Sequence, residues 1–115
     1  MSNMYQVSYD LKNSENTDSD WALKELIREL KDKVKATHFD RPVATTLHFL
    51  SKSERSEVYK SVTTWAGKAR AYWMVSSVPQ TDTPGKYCYI EVPDKSLQTR
   101  INEILTELAD EDKEK

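Results

Sequence analysis

Few side chains in this sequence are of a type and spacing that could do chemistry. Asp10 is the only charge in the segment Met4-Tyr5-Gln6-Val7-Ser8-Tyr9-Asp10-Leu11, which otherwise suits a sheet. A carboxylate there could help hold a divalent cation beside a phosphate, but that chemistry needs clustered carboxylates. Asp10 alone would need a second copy from a two-fold partner; otherwise it caps the loop that follows. His38 and His48 are the only histidines and the obvious general acid–base candidates. Their even separation would put them on one face of a straight strand, but Pro42 between them breaks the phase. No His-x-x-x-His, His-Glu-x-x-His or nucleophile-elbow pattern is present, and two isolated glycines cannot make a glycine-rich phosphate loop.

Two further clusters could make contacts. His38-Phe39-Asp40-Arg41-Pro42 sets an imidazole, an aromatic ring, an acid and a guanidinium in succession. His38, Asp40 and Arg41 could meet a phosphate or a partner protein; equally, Asp40 and Arg41 would balance each other's charge at a surface, where such pairs are weak. Between Lys52 and Arg70 lie Lys52, Arg55, Lys60, Lys68 and Arg70 against only Glu54 and Glu57. Tyr59, Trp65, Tyr72 and Trp73 are close in sequence, and aromatics beside basic groups can stack on single-stranded bases. Trp65 and Trp73, however, fall at core positions. Cys88 is the only cysteine, so neither an internal disulfide nor a cysteine-based zinc cluster can form. It reads as a small buried residue in a strand.

These groups must be positioned by a single domain. The chain has 115 residues, 37% hydrophobic and 31% charged, as expected of a small α+β domain with well-solvated helices. The formal net charge of −2 lacks the basic excess of a dedicated nucleic-acid binder, so binding of that kind would be local. No signal peptide is visible, and no apolar run approaches the ~20 residues that span a bilayer. With one cysteine, this favours a soluble protein of a reducing, cytoplasmic compartment, with no membrane partner.

Alternation puts Tyr5, Val7, Tyr9 and Leu11 on the core face of a first strand, with Gln6, Ser8 and Asp10 opposite. A polar loop over 12–20 leads to a helix from about Trp21 to Lys35, capped near Thr17 and buried along Leu23, Leu26, Ile27, Leu30 and Val34. Residues 36–51 read as extended chain bent at Pro42, with the cleaner strand at Ala44–Leu50. Ser51 and Glu54 have capping-box spacing before a helix with a Val58, Val62, Trp65, Ala66 stripe, and Gly67 is its expected stop. The strand Ala69–Val78 is apolar on both faces, as in the middle of a sheet. A turn-rich loop (79–86) and an antiparallel strand (87–92) follow. Asp94 caps a last helix with a Leu97, Ile101, Ile104, Leu105, Leu108 stripe, and residues 110–115 read as a charged, disordered tail beyond a domain at 1–109. With the Pro42 segment as its own strand, the order β-α-β-β-α-β predicts a ferredoxin-like antiparallel sheet with helices on one face and an added C-terminal helix. Its open face, carrying Ser8 and Asp10, is half apolar, as dimer surfaces often are.

The run Tyr5-Gln6-Val7-Ser8-Tyr9-Asp10-Leu11 resembles the first strand of the small ferredoxin-like proteins of the CRISPR spacer-acquisition endonuclease group. It is most similar to their SinR-like relatives, in which a Val-Ser-Tyr-Asp-Leu run opens the chain. The resemblance covers seven residues of motif and the element order to about residue 92; the longer region after the second helix and the terminal helix depart from the pattern. It implies a homodimer in which Asp10 from each chain would hold Mg²⁺ across the two-fold axis. Three readings follow. The leading one is a non-enzymatic interaction or regulatory module, a homodimer that binds a protein partner or regulates a nucleic-acid system, with no cofactor. The second is the metal-dependent nuclease with Asp10, and the third is nucleic-acid binding without cleavage through Lys52–Arg70.

Overall fold

The computed structural model describes residues 3–12, 18–78 and 94–113. The expected loop 79–86, the strand 87–92 with Cys88, and Thr17 lie outside the described residues. The elements are β1 (Asn3–Leu11), α1 (Ser19–Val34), β2 (Thr37–Val43), β3 (Thr46–Ser51), α2 (Arg55–Ala69), β4 (Ala71–Val78) and α3 (Lys95–Lys113). The strands form an antiparallel sheet in the order β2-β3-β1-β4. Each of the two β-α-β crossovers therefore skips a strand, which is the ferredoxin-like arrangement, and α3 is an addition to it.

Alternation along β1 decides which way the sheet faces. Tyr5, Val7 and Tyr9 enter one core with Leu47 and Phe49 of β3, Phe39 of β2 and Ala71 of β4. The stripes of α1 (Leu23, Leu26, Ile27, Leu30, Val34), α2 (Val58, Val62, Trp65, Ala66) and α3 (Ile101, Ile104, Leu108) close over the same side. All three helices thus share one face. Trp65 is buried between α2, α1 and the sheet, edge-on to Tyr9 at 5.1 Å, with its Nε1–H donating to the Ala22 carbonyl at 2.8 Å.

Several local expectations change, each for a physical reason. The α1 cap is Asp18, whose Oδ1 accepts from the Asp20 and Trp21 amides. Ser51 makes no capping box. Its hydroxyl is buried and donates instead to the Val34 carbonyl at 2.6 Å, tying the end of β3 to the end of α1. The strand expected from Ala44 begins at Thr46, because Ala44 and Thr45 form the turn of the β2–β3 hairpin. In β4, Tyr72 and Met74 are 64% and 57% exposed rather than buried on both faces, and β4 is the outermost strand among the described residues.

Helix α3 runs on through residues 110–113, where a disordered tail was expected. Glu111 pairs with Lys24 at 3.3 Å and Arg28 at 2.6 Å, while Arg100 reaches Asp20 at 2.6 Å and Glu107 at 3.1 Å. The charged face of α1 is therefore not simply solvated; part of it seats α3. These partners hold the carboxyls of Asp20, Glu107 and Glu111 below their ordinary range, through hydrogen bonds from Arg100 to the first two and from Arg28 to the third.

Helix α2 does not stop at Gly67. It continues to Ala69, and Arg70 takes the left-handed cap conformation at φ 55°. Gly67 is then a glycine inside an exposed helical turn, with nothing within 4 Å of an added Cβ. Gly67→Ala should raise stability by about 0.5–1 kcal/mol, since alanine loses less backbone entropy on folding. Urea unfolding followed by circular dichroism would measure it; a loss of stability would contradict the helical setting of this residue.

Candidate interaction face

The face of the sheet turned away from the helices gathers most of the polar candidates. Register builds it row by row. Asp40, His48, Gln6 and Ser76 align across β2, β3, β1 and β4, and beside them run Val43, Thr46, Ser8 and Met74. Beyond these, Asp10 stands opposite Tyr72. At the other end Met4 and Leu50 pair on this face and are buried, although they are not part of the helix-side core.

A continuous hydrogen-bond chain crosses the centre. His48 Nε2 is 2.9 Å from Gln6 Oε1, Gln6 Nε2 donates to Ser8 Oγ at 3.3 Å, and Ser8 shares a hydrogen bond with Thr46 Oγ1 at 3.2 Å. With Gln6 Oε1 turned toward His48, the tautomer that satisfies this oxygen carries its proton on Nε2, which leaves Nδ1 a lone pair. That Nδ1 is buried and has no hydrogen-bond partner among the described residues. A group left so costs about 1–3 kcal/mol. Burial pushes the His48 pKa down, against the pull of the Asp40 carboxylate. Burial likewise raises Asp40, opposed by His48 and His38.

The cluster around Pro42 is split by β2. Phe39 turns into the core, 6.0 Å from Phe49, while Asp40 lies on the opposite face. His38 is exposed at φ 56°, its Nδ1 3.0 Å from Thr37 Oγ1. Arg41 does not neutralise Asp40 as expected. Its Nε and Nη2 donate to the Ala44 carbonyl at 3.2 and 3.0 Å, clamping the hairpin turn, so the groups facing Asp40 are imidazoles. From α3, Gln98 grips both neighbours of Asp40. It donates to the Phe39 carbonyl at 3.0 Å and accepts from the Arg41 amide at 3.3 Å.

Asp10 is exposed at the end of β1, with Lys12 Nζ 4.8 Å from the ring centroid of Tyr72 beside it. No group of three His, Cys, Asp or Glu side chains comes together as a metal site among the described residues. A three-ligand site of such side chains at Asp10 would therefore need groups from outside them. The basic set is exposed but not gathered. Lys52 and Arg55 lie at the start of α2 and Lys68 and Arg70 at its end, separated by a helix of 15 residues, about 22 Å. Trp65 is core, Trp73 is half-buried against it, and Tyr59 is exposed with its ring 4.7 Å from Trp73.

Sequence reasoning placed Gln6, Ser8 and Asp10 on one face of the first strand, and the same alternation puts Thr46 with His48 on one face of the strand expected over Ala44–Leu50. It did not join the two sets, nor find Gln98. Only the β1–β3 register could join them, and a lone glutamine in a helix carries no signal. No known family model matches the chain, and no curated protein matches it either. Among the described residues, no helix is long and apolar enough to cross a membrane.

Proposed function

We propose that this chain is a non-catalytic interaction module of the cytoplasm, and that its partner is a second copy of itself, met through the sheet face opposite the helices. The observation that supports this is the exposure of Val43, Tyr72 and Met74, at 53%, 64% and 57%, on a face whose centre is polar. Val43 and Met74 flank the Thr46–Ser8 hydroxyl pair in a single row. An apolar rim around hydrogen-bonding groups suits a contact that buries the first and pairs the second. Sedimentation equilibrium of the wild type and of a Tyr72→Asp/Met74→Lys variant tests it. The wild type should be dimeric at micromolar concentration, and the variant monomeric with an unchanged circular dichroism spectrum. A wild type that stays monomeric to several hundred micromolar sinks the proposal.

A second reading is supported by the position of Asp10, exposed on this same face at the end of a strand. Association across the face would bring two Asp10 carboxylates toward each other, in keeping with Mg²⁺-dependent cleavage of nucleic acid. Incubation of labelled RNA and DNA with the protein and Mg²⁺ decides it: cleavage abolished in Asp10→Asn supports nuclease action, and no cleavage by the wild type removes it. The same oligonucleotides report on Lys52–Arg70, since binding there would weaken steeply with salt.

A further inference from the structure

We infer that His48 is a proton sensor within the sheet: on protonation at its buried Nδ1 it draws Asp40 across the strand pair, and so loosens the hold of β2 on α3. The inference concerns one chain alone and stands apart from what binds the sheet face.

Three observations carry it. First, the Nδ1 lone pair has no partner among the described residues, while Nε2 is committed to Gln6. A proton arriving at Nδ1 makes a buried N–H⁺ that needs an acceptor. Among the described residues, the charged groups acting there come from β2. Asp40 faces His48 directly in the register, and His38 acts on Asp40; β1 offers only the neutral Gln6 and Ser8.

Second, Asp40 sits where β2 can move. The register shifts between Thr37 and Asp40 and again between Asp40 and Val43, so the strand is irregular on both sides of this residue. Among the described residues it is also the end strand of the sheet beside β3, and His38 holds a left-handed backbone. Irregular pairing leaves few ladder bonds to resist a local shift.

Third, the two residues flanking Asp40 are those that Gln98 holds, through the Phe39 carbonyl and the Arg41 amide. A displacement of Asp40 toward His48 strains both bonds at once. Gln98 is thus a positioning residue that links the state of His48 to the first turns of α3. The sign follows from burial, which favours neutral His48 in the closed arrangement. A state that lets the imidazolium pair with Asp40 binds the proton more tightly, so it gains population as pH falls below the ordinary histidine value of 6.5. The α1–α3 ion pairs do not act in this range, since Asp20, Glu107 and Glu111 are held below their ordinary values of 3.8, 4.5 and 4.5.

Amide hydrogen exchange of the full chain at pH 7.5 and pH 5.5, corrected for intrinsic rates, tests the inference. Protection of β2 and of the first turns of α3 should fall severalfold at the lower pH, because proton uptake favours the state that pairs the imidazolium. The centre of β1 should stay unchanged. His48→Gln should abolish the response. Gln98→Ala should abolish it in α3 while leaving it in β2, which a merely structural role for Gln98 would not do. Equal protection of wild-type α3 at both pH values overturns the inference, as does a response that survives in His48→Gln. Should that variant fail to fold, the wild-type His48 Cε1–H chemical shift decides: titration between pH 7.5 and 5.5 in step with the loss of protection supports it, and no titration in that range overturns it.

Discussion

Trp65→Ala should destabilise the protein by about 3–5 kcal/mol, a large part of the 5–15 kcal/mol by which a domain usually stands above its unfolded state. Trp65 is 1% exposed and fills the space between α1, α2 and the β1 face of the sheet. Its removal would leave a void lined by residues of different elements, which cannot collapse together, and would also remove the hydrogen bond to Ala22 and the edge contact with Tyr9. Trp65→Phe should cost much less. The ring volume is largely kept, and the Ala22 carbonyl lies within α1, where the helix ladder still uses it. Urea unfolding followed by far-ultraviolet circular dichroism separates the two variants without relying on tryptophan emission. A loss below about 1.5 kcal/mol for Trp65→Ala would mean that the site closes over, and that Trp65 is not the centre of the helix layer.

Ile104→Ala should cost about 2–5 kcal/mol and should lower the unfolding midpoint of the whole chain. Ile104 is fully buried in the same core as Leu26 and Phe49, together with Ile101 and Leu108. The ion pairs of α3 set its alignment along α1, but they are largely exposed, and water screens them. The apolar stripe must therefore supply most of the attachment. A single cooperative transition, shifted in the variant, is the expected outcome. A variant in which α3 melts separately while the sheet keeps its midpoint would show that the added helix is a satellite of the fold.

What could be read from the sequence was what periodicity controls. Tyr5, Val7 and Tyr9 alternate into the core, and the α1 and α3 stripes lie where their spacing puts them, because side-chain direction follows from local geometry alone. The errors have a common origin: a polar side chain or a glycine that suits one local role was used in another. Ser51 has the spacing of a cap, but the free carbonyl of Val34 competes for its hydroxyl. Gly67 suits a stop, but the chain reaches the left-handed turn three residues later with Arg70. Asp40 and Arg41 are neighbours in sequence, yet the guanidinium closes a turn that lacks glycine or asparagine at Ala44–Thr45, and hence gave no turn signal. The candidate face was half legible. Gln6, Ser8 and Asp10 were sorted correctly onto one face of β1, whereas Tyr72 and Met74 were not, and which strands would lie side by side is a property of the whole sheet.

The layer order of the helices has an electrostatic consequence. Helix α1 contacts both others, α2 leans on β4 and α3 on β2, so α2 and α3 occupy opposite flanks of the molecule. Lys60 and Lys68 lie on the α2 flank with Arg55, and Arg70 caps it, against Glu57 within the helix. The α3 flank carries Glu103, Glu107, Asp110, Glu111 and Asp112 against Lys95, Arg100 and Lys113. Across these two helices the charges thus make a dipole, positive at α2 and negative at α3. Such a dipole exerts a torque on the protein in the field of a charged surface, turning its α2 flank toward an anionic one before contact, and dissolved salt weakens that turning.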